Sequence, residues 1–107
     1  MKFKDYLIRT IGTTAVKYSE TDAEMIRAAM QEELEAINDY TERAKNAQNE
    51  ATKKLFIDIA NEEKTHFEEF EALLEAIDST HEDAEENAEE EIEDLFGENE
   101  EDEDETE

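Results

Sequence analysis

The chain has no cysteine, no proline and no tryptophan, and its only glycines are Gly12 and Gly97. Without cysteine there is neither a disulfide framework nor a thiolate metal site. With no proline and so strongly acidic a composition, the chain reads as one small helical domain with charged flanks. No apolar run approaches the roughly 20 residues that a membrane span requires, and the residues after Met1 lack the apolar core of a secretory signal, so the expected location is the cytoplasm. Basic residues are also scarce: 10 Lys or Arg stand against 35 Asp or Glu, a formal net charge of -25 over 107 residues. Such a charge repels nucleic-acid phosphates and attracts cations.

What the sequence does contain is long helical periodicity with acids in the wrong place. In Glu62-Glu63-Lys64-Thr65-His66, Glu63 and His66 are three residues apart, a spacing that puts both side chains on one helix face. They fall in an apolar line, Phe56, Ile59, Glu63, His66, Phe70, Leu73 and Ile77, whose steps alternate between three and four. Upstream, Ile26, Met30, Glu33, Ile37, Tyr40 and Ala44 form a second such line, again interrupted by one acid. A carboxylate or imidazole on a buried seam costs several kcal/mol unless it is paired, hydrogen-bonded or bound to a metal. Glu32, Glu35 and Glu42 lie off the line and read as solvated positions.

In chain order, residues 1–20 form an N-terminal arm that mixes Lys2, Lys4, Arg9 and Lys17 with Phe3, Tyr6, Leu7, Ile8 and Ile11. This composition suits packing on the domain or on a neighbour. Residues 21–78 are expected to form an antiparallel helical hairpin, starting at the capping box Thr21-Asp22-Ala23-Glu24, turning at Asn46–Asn49 and restarting with Asn49 as N-cap. Residues 79–97 are a short third helix, opened by Ser79-Thr80-His81-Glu82 and closed by Gly97, with His81 an ordinary surface histidine. Residues 98–107 are expected to be a disordered acidic tail. Glu33 lies about 15 residues before the turn and the Glu63/His66 pair about 15 after it, each roughly 22 Å along its helix, so the three side chains should be level.

Two helices cannot enclose a core, and pairing two hairpins about a two-fold axis completes a four-helix bundle. The bundle would hold two copies of Glu33 and two of Glu63/His66. A Glu from each of two helices with Glu-x-x-His from each of the other two is the ligand pattern of di-iron and di-manganese carboxylate bundles. Four carboxylates and two imidazoles suit Fe(II), with Mn(II) as the alternative, and four negative charges balance two divalent cations.

The segment Gln31-Glu32-Glu33-Leu34-Glu35-Ala36-Ile37-Asn38-Asp39-Tyr40, followed some twenty residues later by Asn61-Glu62-Glu63-Lys64-Thr65-His66, resembles the encapsulated ferritins. These are half-ferritins associated with encapsulin shells within the rubrerythrin and ferritin superfamily. The resemblance covers about Thr21 to Ile77. It implies an all-α half-ferritin fold, a homodimer or ring of dimers, and a di-iron ferroxidase centre shared between two subunits inside a shell. By motif it makes Glu33, Glu63 and His66 iron ligands and the catalytic residues, sets Tyr40 near the site, and assigns Glu32 and Glu35 to iron entry. The residues themselves read Tyr40 as a core phenol before any redox participant, and Glu32 and Glu35 equally as solvated charge. Asp39 stands where several relatives carry an aromatic, and the acidic tail replaces the usual C-terminal targeting peptide. Thr10-Ile11-Gly12-Thr13 is similar to the Thr-aliphatic-Gly core of such peptides.

The expected function is oxidation of Fe(II) to Fe(III) for iron storage or detoxification as encapsulin cargo. Two alternatives stay open: a rubrerythrin-like peroxide reductase, weakened by the missing Cys-x-x-Cys electron-delivery module, and a non-enzymatic acidic helical binding or assembly protein, which leaves the acids and histidine at seam positions unexplained.

Overall fold

A computed structural model describes the backbone of residues 20–106 and the side chains of residues 20–97. The N-terminal arm, with its Thr10–Thr13 segment, lies outside the described residues. Three helices make up the structure among those residues: α1 (Glu20–Asn46), α2 (Glu50–Ile77) and α3 (Ser79–Thr106). The all-α hairpin expected from periodicity is present.

The ends of α1 and α2 are set by local chemistry. The chain is already helical at Glu20, so Thr21 sits in the first turn and not at the cap. Acids Glu20 and Asp22 in that turn and Arg43 and Lys45 in the last both complement the helix dipole. Asn49 caps α2: its Oδ1 accepts from the backbone N–H groups of Ala51 (2.7 Å) and Thr52 (3.2 Å), as the sequence predicts. Asp39, the departure from an aromatic, forms an exposed ion pair with Arg43 one turn on, at 3.1 Å, a contact worth roughly 0.3–0.5 kcal/mol.

The hairpin is antiparallel. Ala23, Ile26 and Met30 near the start of α1 pack on Leu74 and Ile77 at the end of α2, with Phe67 and Phe70 against them. Toward the turn, Tyr40 stacks on Phe56 with ring centroids 6.0 Å apart, and Ala44 and Ala60 are buried. The α1 line is as predicted. The α2 line is not quite: the residues turned toward α1 are Phe56, Ala60, Glu63, Phe67, Phe70, Leu74 and Ile77, whereas Leu73 is 36 % exposed and Leu74 is fully buried. Two apolar lines run side by side on α2, sharing Phe56, Glu63, Phe70 and Ile77, and contact with one neighbouring helix selects the 3.5-residue repeat that begins with a step of four.

At the α2–α3 corner a single residue serves both helices. The Asp78 N–H donates to the Leu74 carbonyl (2.8 Å) and closes α2. Its Oδ1 accepts from the Thr80 N–H (3.0 Å) and the Thr80 hydroxyl (2.6 Å), so Asp78, and not the predicted Ser79, starts α3. Arg27 reaches across from α1 to its other oxygen at 3.5 Å. Asp78 is only 5 % exposed. The hydrogen bonds from Thr80 hold its carboxyl below the usual range, against burial, which raises it, and with help from Arg27.

The predicted stop at Gly97 is not observed; the helical backbone continues to Thr106. Gly97 does not adopt the left-handed conformation of a C-terminal cap, and a Cβ there would meet only Glu93 Cγ at 3.9 Å. A glycine in helical conformation costs only about 1 kcal/mol, and the glutamates around it are good helix formers.

Candidate metal centre

Glu33 from the middle of α1 and Glu63 and His66 from the middle of α2 meet at one level of the hairpin. One oxygen of each carboxylate and one imidazole nitrogen lie within 4.8 Å of one another. His66 Nδ1 is 3.4 Å from Glu63 Oε2 and 3.7 Å from Glu33 Oε2. The equal distances from the turn account for the level, and the i,i+3 spacing accounts for the shared face.

The three differ in exposure in a way the periodicity did not anticipate. The carboxylates of Glu33 and Glu63 are each 19 % exposed, whereas the His66 ring is 46 % exposed. His66 belongs to the outer of the two α2 lines, with half-buried Ile59 and part-exposed Leu73, on the hairpin's open flank. Glu33 Oε2 is buried and has no hydrogen-bond partner. Leaving a polar atom in that state costs on the order of 1–3 kcal/mol, and a cation accepted by the same three side chains would remove the penalty. The donor set fits such an ion: mixed oxygen and nitrogen donors suit Fe(II), Mn(II) or Zn(II), whereas a soft ion would ask for sulfur.

The other residues singled out in the sequence lie around this point. Tyr40, seven residues toward the turn, is half-buried and engaged with Phe56. Glu32 and Glu35 are exposed on α1. The structure also assembles a group that the sequence reading passed over. Glu71 and Glu75 of α2 and His81 and Glu85 of α3 place one donor atom each within 4.8 Å of the others, and His81 is half-buried. The signal was available: two i,i+4 pairs of ligand-type residues flanking a corner.

A helical hairpin with Glu on one helix and Glu-x-x-His level with it on the other defines a ferritin-like carboxylate domain, compatible with a metal such as iron. Residues 7–74 match the rubrerythrin family, and the chain belongs to that family. It is also similar to a ferritin-like-encapsulin shell fusion protein of Pyrococcus furiosus, 44 % identical over 55 residues. That match covers 51 % of this chain and 16 % of the relative, so the chain corresponds to a small part of that protein's length. No solved structure matches. Among the described residues no helix is long and apolar enough to cross a membrane.

Proposed function

We propose that this chain is half of a ferroxidase. Two hairpins pair through the open flank that carries Ile59, His66 and Leu73, and each contributes Glu33, Glu63 and His66 to a centre holding two Fe(II) ions as substrate. The observation that carries this reading is the meeting of three ligand-type side chains at mid-seam with one buried oxygen, Glu33 Oε2, lacking any hydrogen-bond partner. Half-exposed His66 supports the pairing, because a ligand facing outward from its own hairpin is available to a centre that lies between two.

In the paired state the four carboxylates neutralise the charge of the two substrate ions. Each Fe(II) gives one electron to dioxygen, which takes up two protons and leaves as hydrogen peroxide. The two Fe(III) ions then depart. Glu33 and Glu63 favour the higher charge of the product ions, and the seam around Met30 and Phe67 excludes bulk water. A bundle of this size has no storage cavity of its own, so accumulation of mineral requires an enclosure. The Pyrococcus furiosus relative, by its name joined to an encapsulin shell, supports such an enclosure for this chain: work as cargo of an encapsulin compartment in the cytoplasm.

The deciding experiment combines native mass measurement with oxidation of Fe(II) under air. Two irons per subunit pair, with growth from monomer to dimer or to a ring of dimers, are expected. Iron bound one per monomer with no change in assembly refutes the shared centre. A second reading, reduction of peroxide, is open to a chain of the rubrerythrin family. In that case peroxide with an external reductant would be consumed faster than dioxygen with Fe(II). A non-enzymatic acidic binding protein would turn over neither.

A further inference from the structure

The corner between α2 and α3 holds a second set of ligand-type side chains, which shares no residue with the first. Glu71 and Glu75 stand one turn apart near the end of α2. His81 and Glu85 stand one turn apart at the start of α3. Their four donor atoms lie within 4.8 Å of one another, although among the described residues no carboxylate oxygen comes within 4.0 Å of a His81 ring nitrogen. A tetrahedron with edges between 4.0 Å and that limit has its centre about 2.4–2.9 Å from each corner, so a small movement of the side chains would bring the donors to the roughly 2.0–2.6 Å bond length of a divalent cation to oxygen or imidazole nitrogen.

Among the described residues no Lys or Arg answers the three carboxylates. α3 has no Lys or Arg along its length, and α2 has none in its last turn. Among the described residues, none of the four side chains has a hydrogen bond or an ion pair with a Lys or Arg. Glu71, Glu75 and His81 are half-buried, so solvent screens them only in part. Burial, and then the charges of Glu68 and Glu85, push the Glu71 carboxyl above its usual range, while His81 acts in the opposite direction. Packing does not explain why the two helices bring these groups together. Among its described residues α3 buries no side chain, and Ile92, Leu95 and Phe96 are all more than half exposed.

We infer that Glu71, Glu75, His81 and Glu85 bind one first-row divalent cation that fastens α3 to α2. The imidazole makes the site selective: Mg²⁺ and Ca²⁺ prefer all-oxygen shells, whereas Zn²⁺, Mn²⁺ and Fe²⁺ accept mixed donors. The ion bridges two helices that otherwise share the single Asp78 corner. This site does not depend on the ferroxidase reading.

The test uses the full chain with Glu63→Ala and His66→Ala together, which removes the mid-seam donors and leaves His81 as the one imidazole of a chain that has two. Zn²⁺ is titrated by calorimetry while the His81 ring nitrogens are followed by NMR. One Zn²⁺ per chain should bind with the ring shifting in step. Adding His81→Ala should weaken binding by at least about tenfold, and Glu75→Gln should also weaken it while leaving the helical spectrum unchanged. An unmoved ring, or equal affinity with and without His81, overturns the proposal and leaves only diffuse attraction of cations to an acidic surface.

Discussion

Replacing Glu33 by leucine should make the metal-free protein more stable, although it removes a residue that the proposed activity requires. Glu33 Oε2 is buried without a hydrogen-bond partner, and the side chain as a whole is only 19 % exposed. Removing an unsatisfied buried polar atom recovers on the order of 1–3 kcal/mol, and leucine fills a similar volume between Met30 and Ile37. For a domain of this size each kcal/mol moves the midpoint by roughly 4–8 °C. Glu33→Leu should therefore melt roughly 5–20 °C above the parent by circular dichroism in EDTA at fixed protein concentration. Glu35→Leu, at an exposed position of the same helix, should stay within about 0.5 kcal/mol of the parent. Anaerobic Fe(II) should then narrow or reverse the difference. At a hundred times its dissociation constant it adds about 2.7 kcal/mol to the parent and much less to the variant. A Glu33→Leu protein that is less stable than the parent in EDTA, or that gains as much from Fe(II), would refute the view that this carboxylate is held in place for a cation.

Glu63→Ala and His66→Ala should each abolish rapid Fe(II) oxidation in air, and Glu42→Ala, on the exposed face, should leave the initial rate unchanged. Leu74→Ala should cost about 2–5 kcal/mol in urea unfolding, since Leu74 is fully buried where α1 and α2 meet. For Asp78 the folded carboxyl titrates below its unfolded value of 3.8, so its contribution is complete above that value and is lost as pH falls through the folded one. Asp78→Asn should thus lower the melting temperature at neutral pH, with the gap closing below about pH 4; a gap independent of pH would contradict this.

The hairpin and its three central side chains were legible because each rests on a strong local rule. Asn49 is a capping residue after a polar turn. The α1 line has one apolar register, and equal spans from the turn put Glu33 level with Glu63 and His66. Where the reading slipped, the sequence offered two answers of similar quality. On α2, Ile59 and Ala60, His66 and Phe67, and Leu73 and Leu74 are adjacent pairs, and only contact with α1 selects the second of each. Ala60 is informative because it is small and lets the helices approach, which apolar patterning does not register. Asp78 was hidden for a related reason: a residue that ends one helix and begins the next looks in sequence like part of either. The relation of His81 to Glu71 depends on the angle of that corner, which no periodicity encodes.

The third helix has no fully buried side chain among its described residues, and this sets an energetic boundary inside the chain. Hydrogen exchange along α1 and α2 should require the opening of the whole hairpin, because their amides are held by the Ala23, Ile26, Met30, Leu74 and Ile77 cluster. From about Glu85 to Gly97 the amides are protected by intrahelical bonds alone, and single helices of this length are marginal in water. These residues should exchange through local fraying, at rates insensitive to Leu74→Ala. The protein would then have two stabilities, one belonging to the hairpin and one belonging to whatever rests against α3.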